Sequence, residues 1–207
     1  MYLSKLTLDP RHPHARRDLS DAYEMHRTLA RAFVSYPETP PARFLWRLER
    51  SADFQPSSVV LVQSAQPANW SVLDAAAGYA TEILSNKPVD LEKLVQPGAR
   101  YRFRLLANPT VTRAGKRYGL MREEDQLKWL VRQGERHGFT VQGCIRGATE
   151  RLQARQGRTA NRITIDTALF EGVLSAQAPD QLRQGVLNGF GHGKALGLGL
   201  LSLARIG

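Results

Sequence analysis

The chain has 207 residues, 42% hydrophobic and 23% charged, and its 29 Lys and Arg against 19 Asp and Glu give a formal net charge of +10. That length accommodates one large or two small domains with a real core, and Cys144, the only cysteine, excludes an intrachain disulfide and any multi-cysteine metal site. The first residues alternate like a strand and contain no long apolar run, so we expect a cytoplasmic protein with neither signal peptide nor membrane span.

Tyr2 to Leu8 predicts the first strand. From about Asp21 to Tyr36 the periodicity turns helical, with Met25, Leu29, Ala32, Phe33 and Tyr36 grouped on one side for the core. Arg43 to Arg50 and Ser58 to Ser64 predict strands, Ser71 to Thr81 a second helix, and Glu82 to Val89 a short extended segment. Pro97-Gly98 marks a break, after which Arg100 to Leu105 alternates as a clean strand. A helix over Glu123 to His137 and a strand over Phe139 to Ile145 come next, with Cys144 at a strand position. A basic, hairpin-like insertion then turns at Gln156-Gly157. Ile163 to Leu174 predicts a strand, Pro179 to Leu187 a helix, and Leu196, Leu198, Leu200, Leu201 and Leu203 a buried terminal strand. The order β-α-β-β-α-β occurs twice. The expected fold class is therefore α+β: two tandem ferredoxin-like (RRM-like) domains, 1–92 and 98–207, with a basic β-hairpin insertion in the second.

The glycine-rich run Gly189 to Leu203 stands out. Glycines beside a lone lysine, Lys194, suit a phosphate chain. The spacing is wrong for a nucleoside-triphosphate loop, because Gly193-Lys194 is followed by Ala195, and no helix-forming run follows as a dinucleotide fingerprint requires. A loop of this kind, with Gly191, Gly193 and Lys194, can cradle a polymer's backbone; the alternative is a turn that serves packing alone.

The location of the positive charge matters more than its amount. Residues 100–162 hold 15 basic and 5 acidic side chains, whereas 1–99 hold 11 of each and 163–207 hold 3 of each. One electropositive face built to meet nucleic acid follows, and a membrane partner does not, for want of an amphipathic anchor. Arg102, Arg104, Lys116 and Arg117 belong to this segment. Lys128, Arg132 and Arg136 recur every four residues on the helix opposite Leu127, Leu130 and Val131, either as a nucleic-acid stripe or as charges complementing the helix dipole. Arg146, Arg151, Arg155, Arg158 and Arg162 flank the predicted turn with Glu150 the only intervening acid, and Tyr118 sits beside Lys116 and Arg117.

On the first predicted helix, Tyr23, His26 and Arg31 fall away from the apolar stripe and share one exposed arc. These groups suffice for RNA scission in which the neighbouring 2′-hydroxyl attacks phosphorus. The imidazole exchanges protons near neutrality, the phenol holds an oxygen, and the guanidinium offsets charge on phosphate. Neither metal nor cofactor is expected, since His12 and His14 flank Pro13 as a loop pair without neighbouring carboxylates. The competing class is a non-catalytic subunit that grips an RNA hairpin and nucleates assembly.

With both ends in view, the chain resembles the CasE family, the CRISPR RNA-processing endoribonuclease subunit of type I-E Cascade. The resemblance rests on Met1 to Leu6, Tyr23 to Leu29, Phe44 to Glu49, Val60 to Ser64, Tyr101 to Pro109, Leu169 to Gly172 and Gly191 to Leu203. It implies metal-independent cleavage of the repeat RNA at the foot of its stem-loop and retention of the product in Cascade. The expected partners are the CRISPR repeat stem-loop RNA and the other Cascade subunits, with the protein monomeric when alone. It places His26 and Tyr23 at catalytic positions, and Arg155 and Arg158 on a hairpin that enters the groove of the RNA stem. Arg31 stands where relatives often have lysine; it keeps the charge but does not readily lend a proton. A serine found one helical turn on is replaced by Val34, with Ser35 beside it as the remaining candidate.

Overall fold

The computed structural model describes residues 1–36, 38–50, 56–156 and 161–207. They form an α+β protein that divides into two compact units. One unit comprises Met1–Val89 with later segments that include Ala195–Gly197; the other comprises Asp90–Leu152, Thr164–Lys194 and Leu198–Gly207. Among the described residues no helix is long and apolar enough to cross a membrane.

In the first unit, β1 (Tyr2–Leu8) is followed by α1 (Pro13–Ser20), α2 (Ala22–Ala30), β2 (Phe44–Arg50), β3 (Pro56–Ser64) and β4 (Ala80–Pro88). The strands form one antiparallel sheet in the order β2-β3-β1-β4. Period-two alternation sets its buried face: Trp46 lies opposite Val62, which lies opposite Ser4, and Leu48 opposite Val60, which lies opposite Leu6. Met25, Leu29, Ala32 and Phe33 complete that core together with Trp70, Leu73 and Tyr79.

Three differences from the sequence reading have local causes. Pro13 to Ser20, whose start was read as a loop around two histidines, is a helix with proline in its first turn, where the missing N–H costs nothing. The next helix ends at Ala30 and tightens into one 3-10 turn over Arg31–Phe33, which stops where Val34 turns extended. Tyr36 accordingly leaves the core face and is 70% exposed. The predicted helix over Ser71 to Thr81 is only a 3-10 turn, Trp70–Leu73, capped by the Asn69 side chain. Gly78, at φ +83°, ends that segment and carries Tyr79 inward. The burial of Tyr79 overrides the helix propensity of the alanines before it.

Tyr79 donates its phenolic proton to Asp18 at 2.8 Å, and the Asp18 side chain is wholly buried. Burial first, and then the Asp18 charge, push the phenol's pKa well above the ordinary tyrosine value. Arg17 pairs with Asp18 at 2.8 Å and reaches Thr28 at 3.4 Å and Glu24 at 3.6 Å, which fastens α1 to α2. Asp18→Ala removes the anion from this buried network and should cost about 3 kcal/mol, measured by denaturant unfolding. Asp18→Asn, which can still accept from Tyr79, should cost less; equal losses would show that the carboxylate charge carries the whole effect and the retained acceptor adds nothing.

The second unit contains α3 (Leu91–Leu94), β5 (Arg100–Ala107), the small hairpin β6 (Thr110–Arg113) and β7 (Lys116–Gly119), α4 (Glu123–His137), β8 (Phe139–Gln156), β9 (Asn161–Ala176), α5 (Pro179–Asn188) and β10 (Leu201–Arg205). Its four-stranded sheet runs β10-β5-β9-β8. Numbered from each unit's first strand, this order is the same as in the first sheet. Tyr101, Phe103, Leu105 and Ala107 are buried while Arg100 and Arg102 are exposed, as the alternation requires. On α4 the buried residues are Gln126, Trp129, Leu130, Gln133 and Gly134. Val131, assigned above to the apolar side, is 51% exposed, because Trp129 takes the inward position and stacks on Phe170 with ring centroids 6.0 Å apart.

Two further corrections concern the second half. The insertion after Ile145 is not a separate hairpin at its base: β8 continues unbroken from Phe139 to Gln156 and β9 begins at Asn161. The terminal strand starts at Leu201, not Leu196, because Gly197 and Gly199 adopt φ +79° and +87°, outside strand geometry. Leu196, Leu198, Leu200 and Leu201 are nevertheless buried as expected.

Candidate functional site

The helix α2 begins at Asp21, whose side chain accepts a hydrogen bond from the Tyr23 backbone N–H at 2.9 Å and so fixes where the first turn starts. That start places Tyr23 and His26 one turn apart. Both are half-buried, so the fully exposed arc expected for them is corrected; Arg31, at the helix end, is exposed. The cause at His26 is a ring from another strand: the imidazole stacks on Phe44 of β2, centroids 5.0 Å apart and planes within 17°. Burial lowers the His26 pKa below the usual 6.5, so the ring is predominantly neutral at pH 7. Its buried Nδ1 has no hydrogen-bond partner among the described residues.

Arg31 donates through Nη2 to the Val72 carbonyl at 3.4 Å. Ser35 lies exposed beyond the 3-10 turn, off the helix that carries the other three. The unit thus keeps Tyr23, His26 and Arg31 on one continuous helical run and leaves Ser35 outside it. His12 and His14 are drawn together with ring centroids 5.4 Å apart, and His12 also meets Tyr79 edge-on at 6.0 Å. Asp9 nearby is engaged by Arg11 through its backbone N–H at 2.9 Å and Nε at 3.1 Å. Among the described residues no three His, Cys, Asp or Glu side chains gather as metal ligands.

In the second unit the predicted basic residues fall into three environments. Lys128, Arg132 and Arg136 are exposed along α4, and Lys116 and Arg117 are exposed on β7. The β6–β7 hairpin turns through Ala114 and Gly115 at φ 47° and 74°, a two-residue geometry that suits the strand twist. Arg102 is exposed on the outward face of β5, whereas Arg104 beside it donates through Nε to Glu171 at 2.6 Å, which offsets its charge. Arg146 is held by Glu123 at 3.3 Å and Arg151 by Asp166 at 3.2 Å. Arg155 belongs to β8 by its backbone only; its side chain, and the whole of Arg158, lie outside the described residues. Cys144 lies in β8, and burial pushes its thiol pKa up.

The glycine-rich tail makes its close approaches to the protein itself. A Cβ on Gly191 would stand 3.1 Å from Trp129, and one on Gly193 would stand 2.8 Å from Leu198. Gly197 lies against the six-membered ring of Trp46. Lys194 donates to the Gly191 carbonyl at 2.6 Å, closing the loop on itself. Between the two glycines lies His192, a residue that the sequence reading did not single out. It bridges to Asn108, and its pKa is lowered by burial and then by the charges of Arg117 and Lys194. The histidine between glycines was the available signal; its neighbour Arg117, 75 positions away in the chain, was not legible.

A histidine and a phenol one turn apart on one helix, in a chain whose positive charge is concentrated in residues 100–162, match what a nucleic-acid-processing protein requires. A family model described as CRISPR associated protein matches residues 1–205. The chain is 39% identical to the CRISPR-associated endoribonuclease Cse3 of Thermus thermophilus, over 99% of this chain and 100% of that protein. It is 31% identical to the CRISPR system Cascade subunit CasE of Escherichia coli, over 100% of each. The solved structure of Thermus thermophilus Cse3 bound to an RNA representing a pre-cleavage complex superposes with a TM-score of 0.86 at 40% identity, covering 98% of each chain. The chain belongs to the CRISPR associated protein family, within its CasE/Cse3 members.

Proposed function

We propose that this chain is a CRISPR RNA-processing endoribonuclease that cuts precursor CRISPR RNA at the base of the repeat stem-loop and stays on its product within Cascade. The observation that carries this reading is the end-to-end similarity to Cse3, an endoribonuclease whose solved structure is a pre-cleavage RNA complex. The chain acts in the cytoplasm as a monomer until it joins the other Cascade subunits. We read it as two ferredoxin-like domains, 1–92 and 98–207, a reading supported by the shared strand order of the two sheets.

In the reaction the RNA's own 2′-oxygen bonds to the adjacent phosphorus and the bond from phosphorus to the 5′-oxygen breaks, leaving a 2′,3′-cyclic phosphate and a 5′-hydroxyl. One proton leaves the 2′-hydroxyl and another reaches the departing oxygen. His26 and Tyr23 handle these protons, and Arg31, released from the Val72 carbonyl, offsets the growing charge on phosphate. Ser35 is the weakest member of the set because it stands off the helix. No metal or cofactor is needed, since the nucleophile arrives with the substrate. Arg102, Lys116, Arg117, Lys128, Arg132 and Arg136 hold phosphates together with Gly191, Gly193 and Lys194, while Arg155 and Arg158 grip the stem. Arg104 contributes less because Glu171 occupies it.

The deciding experiment incubates the pure protein, in excess chelator, with a labelled repeat hairpin and with a twin carrying one 2′-deoxy substitution just upstream of the cut. Cleavage of the first hairpin only, ending in a cyclic phosphate, is expected. Cleavage of the twin would exclude 2′-hydroxyl attack, and tight binding without cutting of either would favour a non-catalytic hairpin-binding subunit.

A further inference from the structure

Three rings in the first unit lie nearly parallel. Phe33 stacks on Phe44 with centroids 4.5 Å apart and planes within 11°, and Phe44 stacks on His26. Trp70 meets Phe33 edge-on at 6.0 Å and closes the far end of the column. Phe33 and Phe44 are 5% and 6% exposed, so the core fixes both, whereas His26 is the half-buried outer member. A histidine that handles protons is ordinarily aimed by a hydrogen bond from its second ring nitrogen to a carboxylate or carbonyl, which also sets its tautomer. Among the described residues nothing of that kind reaches the buried Nδ1 of His26.

We infer that Phe44 is the positioning residue for His26: its ring face, braced by Phe33 and carried on β2, sets the imidazole plane in place of a hydrogen-bonded partner. This rests on the reading of His26 as a proton-handling group; Phe44 itself touches no reacting atom. The stack leaves Nε2 as the nitrogen available to RNA. It also resists protonation, because an imidazolium would carry an N–H at Nδ1 with no acceptor. Burial of the ring lowers the proton affinity of His26. The charged groups around it do not share in that lowering. On α2, Arg27 is paired with Glu24 at 2.9 Å, and beyond its end Arg31 donates to Val72; Arg43 adjoins Phe44 in the chain, and opposite Phe44 on β3 stands the uncharged Ser64.

The test compares Phe44→Leu, which keeps apolar bulk but removes the ring face, with Phe44→Tyr, which keeps the face. The His26 imidazole is titrated by NMR in RNA-free protein, and single-turnover cleavage and RNA affinity are measured alongside. Phe44→Leu should raise the His26 pKa toward about 6.5 and slow cleavage roughly tenfold through misplacement. RNA affinity should stay within a few-fold, and an unchanged melting transition reports correct folding. Phe44→Tyr should retain most of the rate and the original titration. An unmoved titration in Phe44→Leu overturns the proposal, as does an equal loss of rate in Phe44→Tyr, because the side chain would then act by volume alone. If Phe44→Leu fails to fold, Phe33→Leu, which loosens the column from beneath, should shift the titration in the same direction, and no shift overturns the proposal. Full activity in His26→Ala would instead defeat the reading of His26 and leave the NMR result standing by itself.

Discussion

His26→Ala should lower single-turnover cleavage by about 10²–10⁴-fold, the range for loss of a positioned acid or base, while RNA affinity stays within a few-fold. On the proposed reading the two quantities separate, because His26 would act on protons that move only in the transition state, whereas phosphate contacts of the basic residues would dominate binding. The structure strengthens the expectation on one point. His26 is predominantly neutral at pH 7, and among the described residues no side chain is hydrogen-bonded to its buried Nδ1. Tyr23→Phe should slow cleavage as well, with binding again preserved. Loss of cleavage, binding and melting transition together in His26→Ala would mean that the imidazole is a core residue capping the aromatic column, and the catalytic assignment would fall.

Gly199→Ala should lower stability by about 3 kcal/mol, combining strain at positive φ with overpacking. At about 2–4 °C per kcal/mol for a chain of this size, the melting temperature should drop by about 6–12 °C. Gly199 sits at φ +87°, and an added Cβ would stand 2.3 Å from the Phe190 carbonyl oxygen and 3.1 Å from its nitrogen. Neither backbone atom can retreat, because the Phe190 N–H donates to the Gly199 carbonyl and the Gly199 N–H donates to Leu106, both at 2.8 Å. Gly98→Ala is the control: φ is +68° but nothing lies within 4 Å of the new methyl, so only the backbone strain remains. Equal melting of the two variants would show that the clash is relieved cheaply and that this glycine serves no packing purpose.

Local signals were legible where one element decides its own structure. The helix expected near Glu123 to His137 spans those residues, with three acids opening it and Gly138, in the left-handed conformation, stopping it. The alternation of Arg100 to Leu105 gave the strand its inward and outward faces. What the sequence concealed depends on distant partners. The alanines before Gly78 promise a helix, but Gly78 at φ +83° turns the chain so that buried Tyr79 meets Asp18, a partner far back in the sequence. Trp129 displaces Val131 from the core because Phe170, far along the chain, offers it a ring. The spacing of Tyr23 and His26 on one helix was visible; the half-burial of His26 was not, since Phe44 comes from another strand and no periodicity connects the two. The glycine-rich tail advertised a close backbone approach, and the structure shows that approach in van der Waals contact with Trp46, Leu198, Trp129 and Phe190.

Trp46 and Gly197 are separated by most of the polypeptide, yet they pack as neighbours within one compact unit. On a ribosome, which emits residues in order at about 5–20 per second, the first unit would wait several seconds between the emergence of that indole and the arrival of its glycine cover. During that interval the face of Trp46 is open to wrong partners. A truncated chain ending near residue 92 should therefore be adhesive and poorly soluble, because the first unit is complete only once Ala195–Gly197 has been made.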